Sequence, residues 1–404
     1  MNFIIEPLEP VLFGPPRSHA AGEAHRIDSQ FPPSPFAFQG MIRTRLLHGA
    51  NPPLKLDGRD RETIRALVGT PDALPAGWQI TGPLPACWRV DEDGREVVQP
   101  WIATPRFVLN HQGTAVFARH VPSPGTSSLC DLGKDMPLFG RPDLGTCEPM
   151  GGWIGPANLS YLLAGEPPSS RPRFPWNNEQ WAKFPTFVEQ EFQPGLAINR
   201  DNGNNTAKHG LLYFARSLRF KSRSGFLGSL TAPLATSLRM EDLNSGTGQG
   251  GHKGRLLAFH PVENLDAHWM AVLRGEHLPD SVEERHCFWL FTLTPLRLKQ
   301  EKLLRPDIQR SMLPPGVSVE ILAALTGRAT PLGGYRFEDG CPRENRLYLP
   351  AGSAWLFRLQ GGTPQDRRDA LTALHNHHPL GEDQEAAMGF GHTLVAIAPA
   401  LSQE

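Results

Sequence analysis

Apolar positions along the chain come in short bursts cut off by prolines and glycines, and the spacing within the bursts changes as the chain proceeds. Phe3, Ile4 and Ile5 open a strand over residues 3–8 that the following prolines stop. Phe13 to Gly22 carries too much Gly and Pro for regular structure and reads as a loop. The period then lengthens. Phe38, Met41, Ile42 and Leu46 share one helical stripe that ends near Gly49, Ser34 can cap its start, and Pro35 suits the first helical position. The chain therefore opens strand, loop, helix.

Trp78 to Leu84 reads as a strand running into a turn, and residues 121–187 as extended insertions with one short helix from Gly155 to Leu163. Two strand-like runs follow, Leu211 to Phe214 and Ser217 to Phe220. A glycine-rich loop, Ser245 to Arg255, then feeds the apolar run Leu256 to Phe259. From Cys287 the pattern becomes regular. Cys287 to Leu298 is strand-like, and Val317 to Leu325 is a further apolar run. Arg346 to Leu349 and Ala354 to Leu359 read as a hairpin turning at Pro350-Ala351-Gly352-Ser353. A helix over Gln365 to His375 turns Ala370, Leu371 and Leu374 inward, and His392 to Ala398 is the last strand. That order predicts a ferredoxin-like, two-layer α+β domain over 286–404, and a second such unit with long loop insertions over 1–285.

Composition narrows the class. In 404 residues, 39% hydrophobic and 20% charged, a globular protein is expected rather than a disordered one, and forty glycines with forty prolines imply many loops and short strands. The net charge of −1 leaves any basic, nucleic-acid-facing surface to be local, offset by acidic stretches such as Glu382, Asp383 and Glu385. Met1 to Pro7 lacks the basic region and apolar run of a secretory signal, and no stretch approaches the length of a membrane span. The five cysteines are odd in number, scattered and without a CxxC pair, so a cytoplasmic protein with reduced thiols is expected.

Few motifs survive as chemistry. Gly246-x-Gly248-x-x-Gly251 has the spacing of a dinucleotide fingerprint but precedes a strand-like run instead of a helix, and His252-Lys253 stands where a P-loop needs Lys-Ser/Thr. A loop of this kind either is plain surface or brings backbone N–H groups against phosphates, with Lys253 and Arg255 adding charge. His375, His377 and His378 end the predicted helix near His392 without a carboxylate at ligand spacing, so no metal is expected there. Such histidines are instead favourable at a helix C-terminus. On the early helix, Gln39 and Arg43 share a face and Arg45 points away. The helix N-terminus, preceded by Arg17 and Arg26, is a candidate anion site.

These stretches bear a family resemblance. Ile4-Ile5-Glu6-Pro7-Leu8-Glu9-Pro10-Val11-Leu12-Phe13, the loop with Arg17 and Gly22, and Phe31-Pro32-Pro33-Ser34-Pro35 running into Gln39-Gly40-Met41-Ile42-Arg43-Thr44 resemble the third Cmr subunit of type III-B CRISPR systems. Ile80 to Leu84, Gly151-Gly152-Trp153 with Tyr161-Leu162, Gly195 to Arg200, Gly210 to Tyr213, Gly333-Gly334-Tyr335, Pro350 to Ser353 and Gly389-Phe390-Gly391 continue it in order.

The resemblance implies two RRM-like RAMP domains, no nuclease activity, no cofactor, and binding of the 5′ handle of the guide (cr) RNA. It also implies contacts to the large polymerase-like subunit and to a backbone RAMP subunit. The RNA-binding residues expected on these grounds are Arg17, His19, Arg26, Gln39, Gly40, Arg43, Arg200, Gly248, Gly251, Lys253 and Arg255. Phe13-Gly14-Pro15-Pro16-Arg17-Ser18-His19 departs from the family's Phe-Arg-Asp-Gly-Arg-Pro-Phe pattern and loses its first basic position. Two other functions fit the same residues: an RNA-processing endoribonuclease of the superfamily with His19 or His25 as acid or base, and the handle-binding subunit of another type III subtype.

Overall fold

The computed structural model describes residues 1–14, 26–54, 59–112, 114–121, 138–140, 144–165, 181–198, 207–283, 286–299, 302, 305–336 and 340–398. In chain order its main elements are β1 (Asn2–Pro7), β2 (Arg26–Asp28), α1 (Pro35–His48), α2 (Arg61–Val68), β3 (Gln79–Val90), β4 (Glu96–Pro100), α3 (Pro156–Leu163), β5 (Val188–Ile198) and β6 (Ala207–Phe220). These continue with β7 (Ser224–Thr231), β8 (Thr247–Gly250), β9 (Arg255–Pro261), α4 (Ala267–Leu273), β10 (Cys287–Thr292), β11 (Ser318–Leu325), β12 (Ala354–Gln360), α5 (Pro364–Leu374), α6 (Asp383–Ala387) and β13 (Thr393–Ile397).

Two antiparallel sheets organise the chain. The first has six strands in the order β8-β9-β1-β7-β3-β4, the second four in the order β11-β12-β10-β13. Both are apolar on both faces, and strand alternation explains how. Phe3 and Ile5 of β1 point to one side, where Phe38, Met41, Ile42 and Leu46 of α1 cover them. Ile4 points to the other side, into a core shared with Leu84, Leu227, Trp289, Phe291, Leu356 and Leu394. Phe288, Leu290, Trp355 and Phe357 point away from that shared core, toward Ala370, Leu371 and Leu374 of α5. All six residues of β10 are buried, as expected of a strand covered on both faces. The layers are thus α1, first sheet, second sheet, α5, with α3, α4 and the insertion aromatic Phe107 filling the shared core. The Phe107 ring stacks on Trp289 at 5.1 Å.

Local signals set the helix ends. Ser34 accepts the N–H of Ala37 at 3.3 Å, Pro35 occupies the first turn, and the N–H of Gly49 returns to Arg45 and Leu46. α5 begins with a capping box in which Thr363 and Asp366 satisfy each other's backbone N–H.

Three expectations change. The runs at 211–214 and 217–220 are one strand, because β6 keeps extended backbone through Ala215 and Arg216 while pairing along β5. The strand after Trp78 does not turn at Gly82-Pro83. It continues to Val90, a register shift against Leu227/Ser229 absorbing the proline. Residues 346–348 and β12 do not form a hairpin. Arg346–Tyr348 pairs with Thr330–Leu332, while β12 lies between β10 and β11. The N–H of Gly352 bonds Thr292 and Leu349 bridges to Leu296, so the Pro350–Ser353 turn hands the chain from one pairing to another. Among the described residues no helix is long and apolar enough to cross a membrane. Cys87, Cys147 and Cys341 are free thiols among the described residues.

Histidines tie the second sheet to the first half of the chain. His375 Nε2 donates to the carbonyl of Val272 in α4 at 2.6 Å, and its Nδ1 accepts from the N–H of Val395. His378 Nδ1 donates to Phe390 O at 2.7 Å, and Gln79 of β3 reaches both His378 Nε2 and Ala386 O. His392 pairs with Asn376 at 2.7 Å. These rings serve as neutral internal fasteners at and just beyond the C-terminal end of α5. Burial is the main cause that pushes His375 and His378 down to about 4, and it lowers His277 and His392 as well.

Above the unfolded-state value near 6.5 these groups are neutral in both states. Below it the unfolded chain takes protons that the folded chain refuses, so stability is lost as pH falls from about 6.5 toward about 4. Glu385, raised by burial, works in the opposite sense but is one group against four. Melting temperature measured from pH 7.5 to 4.5 is expected to fall steeply, and His378→Gln is expected to flatten that fall.

Candidate nucleic-acid interface

The residues expected to meet RNA fall into three groups in the structure. Arg17, His19 and Arg200 lie outside the described residues, as does His25, and of Arg26 only the backbone is described. That backbone belongs to β2, which runs parallel to β6 with Arg26 opposite Phe214.

The second group is turned inward, and the expectation of an open phosphate face on α1 is corrected accordingly. Gln39 is 2% exposed, and its amide donates to Pro71 O at 3.4 Å. The guanidinium of Arg43 donates to Gly69 O at 2.7 Å and to Gln39 Oε1 at 3.3 Å. Both side chains hold the 69–71 turn against the helix. Phe36 packs 4.6 Å from Phe390 and edge-on to Tyr348, with the guanidinium of Arg343 4.0 Å above its ring. Arg45, on the other side of α1, donates to Ser245 O at 2.8 Å and so fixes the start of the glycine-rich stretch.

That stretch is a hairpin, not a loose loop. β8 and β9 pair from Thr247/Ala258 to Gly250/Arg255, leaving Gly251 to Gly254 as the turn. Its glycines are demanded by packing. A Cβ on Gly248 would sit 2.9 Å from the Phe259 ring, and one on Gly250 2.5 Å from Met41 Sδ and 2.6 Å from Leu257 Cδ1. Arg255 is engaged by Glu9 at 2.8 Å. Glu9 is held below the usual carboxylate range first by the Leu256 N–H and then by Arg255.

The third group remains available. Gly40 has open space around its Cα on the outer side of α1. Gly251 takes φ +69°, and Lys253, at φ +63°, is exposed with no hydrogen-bond or ion-pair partner among the described residues.

The fold gathers distant segments around this turn. The N–H of His252 donates to Leu12 O at 2.7 Å. Phe13 bonds Ser29 and Gln30, and Val11 exchanges two backbone hydrogen bonds with Leu218 of β6. The two ends of the 15–25 segment, the turn carrying Lys253 and the base of the β5–β6 hairpin therefore meet at one place. On that hairpin Phe192 is 54% exposed and stacks on Phe214 at 4.9 Å. Arg216 reaches Gln190 and Asp28, Arg219 pairs with Glu191, and Lys221 with Glu189. Sequence reading missed Phe192. Its signal was available: one aromatic inside the polar run Glu189 to Gln193.

The profile of the CRISPR-associated protein (Cas_Cmr3) family matches residues 3–397. The chain belongs to that family. The family match bears out the resemblance to the third subunit of type III-B Cmr systems, and this family member is a CRISPR effector subunit of mixed α/β, sheet-rich architecture. Among solved structures it is similar to a chain of the type III-B Cmr-beta complex bound to cognate target RNA and AMPPnP, at 14% identity over 88% of this chain and 86% of that one (TM-score 0.43). It is also similar to a chain of the Csm3-Csm4 subcomplex of the type III-A CRISPR-Cas interference complex, at 10% identity over 90% and 93% (TM-score 0.37). No curated protein matches it in sequence.

Removing the Arg43 guanidinium leaves the carbonyl of Gly69 without this donor, so Arg43→Ala is expected to lower stability by about 1–3 kcal/mol in denaturant unfolding. Arg45→Ala, which cuts the Ser245 bond, is expected to cost about 1 kcal/mol. Neither change is expected to alter the salt dependence of RNA binding.

Proposed function

We propose that this chain is a non-catalytic RNA-binding subunit that anchors the 5′ handle of the crRNA in a type III CRISPR effector complex, with contacts to the large polymerase-like subunit and to a backbone RAMP subunit. It would act in the cytoplasm. Two ferredoxin-like units, 1–285 and 286–404, form its frame. Supporting this, β9-β1-β7-β3 runs in the order fourth, first, third, second, and the second sheet repeats that order as β13-β10-β12-β11. In each unit one crossover carries the helix packed on the sheet, α1 in the first and α5 in the second. In the other crossover of each unit stands a 3-10 turn, Met240–Leu243 in the first and Arg310–Met312 in the second.

The observation that carries the RNA reading is the meeting of three elements at one place. They are the ends of the segment bearing Arg17 and His19, the glycine turn with unpaired Lys253, and the hairpin with its exposed Phe192–Phe214 stack. A turn flanked by glycines lets a phosphate approach closely, Lys253 adds charge, and an exposed aromatic offers a base a stacking partner. Single-stranded handle nucleotides splayed over such a surface need no catalytic group. Arg216, Arg219 and Lys221 at the hairpin are matched by Asp28, Glu191 and Glu189, which fits a balanced net charge.

In the reconstituted complex, Phe192→Ala is expected to weaken handle retention by about 1–3 kcal/mol, the range for one base–aromatic stack. Lys253→Ala is expected to reduce the salt slope by about one counterion, whereas the paired Arg219 should leave it unchanged on replacement by Ala. A labelled repeat RNA incubated with the purified chain should be recovered intact. Cleavage would replace this reading with the endoribonuclease one.

A further inference from the structure

In the crossover from β10 to β11, the described residues 305–317 carry the 3-10 turn Arg310–Met312. Ile308, Met312 and Leu313 of this stretch pack against the outer face of the second sheet. Between the stretch and the start of β11 is a cavity of about 380 Å³, floored by Ile308, Val319, Ile321 and Phe357 and rimmed by Arg305 and Arg310. Beside the cavity, β11 is the last strand of its sheet and pairs on one side with β12.

We propose that the free edge of β11 and this cavity together form a docking site for an extended, acidic segment of a partner polypeptide. An unpaired strand edge is a template for another strand. A segment added there drops every second side chain to the same face. The register shift between Ile321 and Ala323 interrupts the strand just past Ser318, Val319 and Ile321, which line the cavity. The volume accommodates one or two large apolar side chains.

Charge decides what should flank them. Asp307 on the rim is held by Lys302 at 2.8 Å, and Glu320 is held by Arg358 and Gln360. Arg310 donates one N–H to Val317 O, and Arg305 is exposed with no partner among the described residues. The rim is therefore net positive and suited to carboxylates, which guanidinium groups bind through paired hydrogen bonds. An RNA backbone fits less well, since it has no apolar group for the floor and no strand to pair with the edge.

The test uses the full chain and a fluorescein-labelled peptide of about twelve residues that alternates Asp with Val around a central Phe. Fluorescence anisotropy is expected to show binding that weakens with added salt. Arg305→Glu should weaken it about tenfold, and Ser318→Trp, at the exposed mouth, should abolish it. A counterpart with Lys in place of Asp should not bind. Both altered residues are exposed, so melting temperatures should stay at the wild-type value. Absence of binding to the wild-type chain, equal binding by both variants, or displacement of the peptide by an oligouridine would each overturn the proposal. None of these outcomes bears on handle retention, which is read in the assembled complex.

Discussion

Everything in this molecule is arranged around one buried slab, the apolar layer between the two sheets. Ile4 and Leu227 from one sheet meet Trp289, Phe291, Leu356 and Leu394 from the other, with Phe107 wedged among them. A sheet that is apolar on both faces must be covered on both. The slab covers the inner faces, so each sheet needs an outer cover as well, and α1 and α5 supply it. Once those four layers are set, the connections have to run around the rim. There the loop ends at 11–14 and 26–30, the glycine turn and the β5–β6 hairpin come together.

The same constraint explains the glycines and arginines that first looked like RNA-binding features. α1 lies close over the first sheet, so β8 must pass under Met41 with nothing larger than hydrogen at Gly250. The turn between α2 and β3 must be held down beside the helix, and Gln39 and Arg43 do that through backbone carbonyls. A buried carbonyl needs a donor, and a guanidinium four residues along a helix face from a glutamine is well placed to supply it. What remains for a ligand is what packing does not claim: Lys253 and the exposed ring of Phe192.

How much of this was legible depended on whether a feature was local. The capped start of α1 was readable because Ser34 and Pro35 act on their immediate neighbours, and so were α3, α5 and β13. The false hairpin at 346–359 was not avoidable from sequence, since Pro350-Ala351-Gly352-Ser353 has turn chemistry whichever strands it joins. Partner choice there is set by Thr292 and Leu296, more than fifty residues earlier in the chain. Arg43 and Arg45 illustrate the same limit. Helical geometry correctly put them on different sides, but which carbonyl each would find depended on turns at 69 and 245.

The histidine fasteners bear on how firmly the proposed RNA surface is held. Apolar layers alone resist separation but not sliding, because dispersion contacts are non-directional. Polar contacts between the two halves remove that freedom. His375 fixes α4 to the end of α5, Gln79 fixes β3 to His378 and to α6, and Arg343 with Arg336 grips Asp72. A shift of the halves would leave the buried His375–Val272 bond unmade, and in a low dielectric an unsatisfied buried group is costly. The halves therefore move together or not at all. The proposed surface with Lys253 and Phe192 can hold a single-stranded ligand in one geometry only if the sheets beneath it keep theirs.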